Sequence, residues 1–257
     1  MIKETKHPEI TLIAFTLIML FYNTAFTQEK PNIIFIMADD LGYGDIGVYG
    51  QQLIKTPNID RLSAEGMRFS DYYSGAAVCA PARSVLMTGL HTGHTRIRGN
   101  FGKGGVVGLA GKLGRVPIKE EDLTIAEFLQ KNGYRTGMIG KWGLGEPNTS
   151  GEPNKKGFDY FYGFYNQRRA HSYYPEYIWE NTNKVKLHGN ENEQNHQYTH
   201  NLFADKSINF IDRNFEKPFF LYLPVCIPHS RYELPDNGIY SHMEGWTDLQ
   251  KKYAAMV

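Results

Sequence analysis

The chain has 257 residues, is 41% hydrophobic and 14% aromatic, and carries a formal net charge of +1. That length and apolar content suffice for one large α/β domain. The near balance of charge gives no footing for nucleic-acid binding, which draws on a strong basic surface.

Lys3 and Lys6 precede an apolar run from Ile10 to Tyr22, followed by the small-residue region Asn23-Thr24-Ala25-Phe26-Thr27. This pattern reads as a secretory signal peptide over residues 1–27, cut near Ala25 or Thr27, with the mature chain working outside the cytoplasm, secreted or periplasmic. The competing reading is a transmembrane anchor, for which the run is short. No stable membrane insertion is expected after cleavage.

Pro31 to Ala38 is a near-continuous apolar and β-branched run, which predicts a strand buried on both faces of a mainly parallel sheet. It ends at Asp39-Asp40, before Gly42-Tyr43-Gly44. Carboxyl ends of strands are where open α/β sheets bind ligands, and two adjacent carboxylates repel unless a cation sits between them. Thr56-Pro57 predicts a helix start, with threonine as cap and proline in the first turn.

Cys79-Ala80-Pro81-Ala82-Arg83, continuing to Thr88-Gly89, predicts a helix opening at the cysteine and stopping at the glycine. Residue 79 then lies over unpaired N–H groups and the positive end of the helix dipole, and Arg83 adds a fork-shaped oxyanion donor. Residues 99–114 and 181–200 are rich in Gly or Asn and read as long surface loops. Thr124 to Lys131 reads as a helix ended by Asn132-Gly133, and Tyr134 to Gly140 as a strand that delivers Lys141 to the same sheet edge. A further strand over Lys217 to Leu223 leads to His229. Asp236-Asn237-Gly238 reads as a turn, and Thr247 to Gln250 as a capping box opening the last helix, which runs on to the chain end without a stop signal. The two cysteines, Cys79 and Cys226, lie far apart, and a disulfide between them stays open on spacing alone.

Four of these segments, in this order, resemble the type I sulfatases: Ala38-Asp39-Asp40-Leu41-Gly42, the Cys-x-Pro-x-Arg run with its Thr-Gly pair, Gly140-Lys141-Trp142, and Pro228-His229. The resemblance covers about residue 31 to the end. It implies an alkaline-phosphatase-like α/β fold with helices flanking a mainly parallel sheet, residues 28–257 forming the N-terminal catalytic portion of a longer domain. It implies a sulfuric ester hydrolase acting on a sulfated carbohydrate or an aryl or alkyl sulfate. In that family the cysteine is oxidised by a formylglycine-generating enzyme, and its hydrated aldehyde attacks sulfur. Carried over, Cys79, Arg83, Lys141 and His229 are catalytic, while Asp39, Asp40 and residue 79 hold a divalent cation, Ca²⁺ by its preference for hard oxygens, with Mg²⁺ as the alternative.

The sequence departs from the family at Gly143, where a histidine is usual, and the family's later Asp-Asn pair and lysine are absent. His171 is the candidate substitute for that histidine, an exposed loop residue being the other reading. The basic and aromatic stretch from Asn166 to Trp179 suits a sulfated sugar or, equally, a packed loop, and the loop from His91 to Asn100 is expected to line the same pocket. Two rival functions remain at this stage: a phosphate or phosphonate ester hydrolase of the same superfamily, and a non-catalytic fragment.

Overall fold

A computed structural model describes residues 30–100, 106–107 and 113–257. The predicted signal peptide lies outside the described residues, as does most of the expected loop over 99–114. From that loop the short strands β2 (Val106–Val107) and β3 (Leu113–Arg115) pair antiparallel with each other. Among the described residues, no helix is long and apolar enough to cross a membrane.

The centre of the fold is a mixed six-stranded sheet. Strand β1 (Ile33–Met37), β8 (Phe219–Pro224), β4 (Arg135–Lys141) and β5 (Tyr160–Phe164) lie side by side in that order and run parallel. β6 (Tyr177–Glu180) and β7 (Asn183–Lys186) extend the sheet antiparallel. This hairpin corrects the expectation of an unbroken loop over 181–200: Asn181, at a left-handed φ of 52°, turns the chain tightly between two short strands. β4 and β8 match their expected strands to within two residues.

Helices cover both faces. On one, α4 (Thr199–Asn214) packs Phe203 and Phe210 against Ile139, Tyr162, Phe219 and Leu221. On the other, α2 (Cys79–Thr88) and α3 (Ile125–Lys131) bring Met87 and Ala126 against Met138, Phe161, Phe220 and Tyr222. Consecutive residues of β4 and β8 alternate between these two cores, as side chains on a strand must. β1 departs from its expected burial on both faces: among the described residues it pairs only with β8, and Ile34 and Ile36 are exposed.

The caps are mixed in outcome. Thr124 caps α3 in a reciprocal box with Glu127, and Thr247 does the same with Gln250 for α5 (Asp248–Met256). Thr56 precedes α1 (Pro57–Glu65) but makes no side-chain cap; its hydroxyl instead accepts the Gly47 N–H at 2.8 Å.

Candidate active site

The sheet topology delivers its polar residues to one place. Asp39 follows the end of β1 by two residues, β4 ends at Lys141, and the segment after β8 carries His229. Because β1, β8 and β4 are neighbours and parallel, all three arrive at the same carboxyl edge. α2 then brings Cys79 and Arg83 from one face. The expected geometry of this helix holds: Cys79 is its first residue, and Gly89 closes it by donating to the Val85 carbonyl at 2.8 Å. Asn100 Oδ1 accepts the Ala80 N–H at 3.0 Å and so occupies one of the open donors of the first turn.

Asp39 is the hub. Its carboxylate is buried and accepts a short hydrogen bond from Lys141 Nζ; Arg83 Nη2 lies 3.6 Å from its other oxygen. The Cys79 thiol donates toward the same carboxylate at 3.7 Å, and Lys141 Nζ approaches Cys79 Sγ at 3.6 Å. Arg83 and Lys141 are 1% and 0% exposed, and Arg83 also donates to the Lys141 carbonyl. Two buried cations thus face one buried carboxylate. A surplus positive charge away from water is costly unless an anion accompanies it. Arg83 also keeps Nε and Nη2 without a hydrogen-bond partner. Lys141 and Arg83 therefore leave this buried cluster with more positive than negative charge around Asp39.

Electrostatics follow this geometry. Burial pushes the Asp39 carboxyl up, but Lys141 and Arg83 outweigh it and hold the group below the ordinary carboxylate range. A hydrogen bond from His229, helped by Lys141, lowers the Cys79 thiol despite its burial. The same bond raises His229. His229 Nδ1 meets the Ser230 carbonyl, which can only accept, so Nδ1 carries the proton and Nε2 faces the site. Tyr173 holds this segment, donating its hydroxyl to the carbonyls of His229 at 2.6 Å and Cys226 at 3.0 Å.

Asp39, Cys79 and His229 offer ligand atoms within 4.8 Å of one another. Asp40, placed by sequence in the metal shell, sits beside this cluster rather than in it. Its backbone is left-handed at φ 64°, and its carboxylate lies 3.5 Å from His229 Nε2. Both cysteines are free, which closes the disulfide question. His171 stacks its ring on His229 at 4.2 Å. Of the loop from His91 to Asn100, Thr95 meets the Ser84 hydroxyl of α2 at 2.5 Å and Asn100 takes the Ala80 N–H, while Arg96 is engaged by Glu121 and Asp122 instead. A cavity of about 520 Å³, lined by Asp39, Asp40, Cys79, Arg83 and apolar residues of β1, opens onto the cluster. Tyr173 and Gln167 fall within the Asn166 to Trp179 stretch, but no sequence feature gives either a role beside the catalytic cluster. Gln167 packs on Gly143, where an added Cβ would lie 2.2 Å from its amide nitrogen.

The sequence pattern of the family described as Sulfatase matches residues 31–252. The chain belongs to the sulfatase family. It is 34% identical to arylsulfatase G of Canis lupus familiaris over 241 residues, which covers 80% of this chain and 42% of that protein. Its fold is similar to that of Ps i-CgsB in complex with k-i-k-neocarrahexaose, at a TM-score of 0.74 and 31% identity, with 89% of this chain and 52% of the other covered. A structure solved in complex with its substrate D-glucosamine-2-N,6-O-disulfate matches at a TM-score of 0.61 and 30% identity, over 80% of this chain and 36% of the other. The sulfatase chain thus spans about half, or less, of the length of these relatives. The alkaline-phosphatase-like architecture expected from sequence is that of these solved relatives, with the sheet mixed at its β6–β7 end.

Proposed function

We propose that this sulfatase hydrolyses a sulfate ester of a carbohydrate, with residue 79 as the nucleophilic position. The observation that carries the reading is the pair of buried cations, Lys141 and Arg83, packed with a single carboxylate around Cys79. This arrangement suits a bound oxyanion whose charge grows during reaction.

Oxidised to formylglycine by a dedicated partner enzyme, residue 79 would supply, as its hydrated aldehyde, an oxygen nucleophile toward sulfur. Arg83, whose Nε and Nη2 make no hydrogen bond although Nη2 faces Asp39, would give such a hydrate N–H donors. Lys141 neutralises a sulfate oxygen, and its contact with Asp39 fixes the ammonium in place. His229, held by Ser230 and Tyr173, would protonate the departing alcohol oxygen from Nε2 as the doubly protonated imidazolium, the form that its raised pKa favours, and be left neutral with its proton on Nδ1. Asp39, with residue 79, would hold a hard divalent cation, calcium or magnesium, with the Asp40 carboxylate beside the cluster, and such an ion would polarise a sulfate oxygen. These residues fit it as part of a shell, since calcium takes about six to eight oxygens. The site faces sulfated sugars in a secreted or periplasmic setting, consistent with the basic N-terminal leader pattern.

The test is peptide mass spectrometry of the protein from its own host, coupled to sulfate release. The expected result is a residue-79 peptide with the mass of formylglycine, and sulfate freed from sulfated sugars but little phosphate freed from the matching phosphate esters. An unconverted thiol together with no sulfate release would overturn the proposal.

A further inference from the structure

A second polar cleft, of about 810 Å³, begins where the candidate site ends. Among its lining residues are Arg168, Arg169, His171, Asn190, Arg231 and Glu233. His171 links the two regions, because its ring stacks on His229.

The two consecutive arginines are not spent on structural ion pairs. Among the described residues, no carboxylate lies within ion-pair distance of Arg168 or Arg169, whereas Arg231 is faced by Glu233 at 3.9 Å. The Arg169 guanidinium sits over the Tyr177 ring, its central carbon 3.9 Å from the ring centre, and its Nε is buried without a hydrogen-bond partner. A cation held on an aromatic face keeps a defined position, and a planar fork matches the paired oxygens of a sulfate or carboxylate. Asn190 holds the facing wall rigid through bonds to the carbonyls of Pro175 at 3.0 Å and Gln197 at 2.9 Å. Glu233 is partly occupied, accepting from the Tyr173 N–H at 3.1 Å. The remaining carboxylates of the cleft, Glu176 and Glu193, are exposed and disfavour a densely charged chain.

We propose that this cleft is an anion subsite that takes one sulfate or carboxylate group on the sugar next to the one whose ester is cleaved, held by Arg168 and Arg169. The inference rests on the sulfatase reading of the Cys79 site, and it makes the substrate an oligosaccharide bearing at least two anionic groups.

The test compares two sulfated disaccharides of one ring skeleton, differing only in a second sulfate or carboxylate on the neighbouring sugar. The readout is the ratio of kcat/KM for the doubly charged to the singly charged disaccharide. The ratio is expected to exceed about ten in the natural protein and to fall about tenfold in Arg169→Ala, mainly through KM. Arg169→Lys, which keeps charge and loses the fork, should fall in between. Arg168→Ala, at an exposed position, repeats the test should Arg169→Ala fail to fold. An equal ratio in the natural protein and these variants overturns the subsite. Calorimetric binding of both disaccharides is measured alongside. A protein that releases no sulfate but still binds the doubly charged sugar better, through these arginines, refutes the sulfatase reading and keeps the subsite; equal binding of the two refutes the subsite.

Discussion

Lys141 is the residue on which the candidate chemistry turns. It is fully buried, salt-bridged to Asp39 and 3.6 Å from Cys79 Sγ. Lys141→Ala removes one of the two cations available to a sulfate oxygen. Turnover of an aryl sulfate should fall by about two to three orders of magnitude, the usual loss when one preorganised charge stabiliser is deleted. Thermal melting on the same sample separates lost chemistry from lost folding; activity within a few-fold of the natural protein would remove Lys141 from the mechanism. That Lys141, Cys79, Arg83, Asp39 and His229 come together was legible in sequence because each lies in a short motif, on the first turns of a helix or at or just past the end of a strand. Gln167 and Tyr173 were not, because their roles arise from long-range packing. Tyr173 reaches His229 across 56 positions of sequence, and Gln167 fills the space that Gly143 leaves open. No local spacing encodes either contact. The same packing explains why position 143 tolerates so little here: its φ of +82° and the adjacent Gln167 amide together disfavour any side chain.

At the scale of elements, the position of Lys141 depends on how closely β4 lies against its neighbours. Gly140, directly before it, has a φ of +131°, and an added Cβ would lie 2.1 Å from the Pro224 carbonyl oxygen of β8. That obstacle is backbone and cannot rotate away. Gly140→Ala should therefore cost about 3 kcal/mol or more, combining strained backbone with displacement of a paired strand. Urea denaturation followed by circular dichroism measures it, and a loss below about 1 kcal/mol would show that β4 and β8 can separate without penalty. β8 was readable as a strand because a continuous apolar run marks a buried parallel strand, and β4 because a helix stop at Asn132-Gly133 precedes it and glycines punctuate its short apolar centre. α4 and the β6–β7 hairpin were harder. α4 is preceded at its cap position by Tyr198, which supplies no side-chain cap, and the hairpin is polar along β7, where only Val185 is partly buried. Their stability comes from the aromatic core beneath them, which a one-dimensional pattern does not display.

At the scale of the molecule, acidity should be the condition this fold tolerates least. Four carboxylates in separate regions are held below their ordinary range. Asp39 is lowered despite burial by Lys141 and Arg83, and Asp122 despite burial by Arg96. Glu180 is lowered despite burial by hydrogen bonds from Lys206 and Tyr160, and Glu191 is pulled down to about 2 by Lys186 and its own backbone. A carboxylate depressed in the folded state releases its proton more readily there than in the unfolded chain. Its contribution is complete above the unfolded value, about 4 for such groups, and is lost as pH falls through the folded value. These sites tie β1 to β4 and α2, the loop before α3 to the segment after α2, and β6 to α4, so protonation loosens the sheet from both sides together. The melting temperature should stay nearly level from pH 8 to about 5 and then fall steeply below about 4. Glu180→Gln should shorten that acid limb without moving the neutral plateau by much, because the Glu180–Lys206 pair is about one-third exposed and solvent screens it. A melting temperature unchanged between pH 7 and 3 would show that these ion pairs hold no stability that protonation can remove.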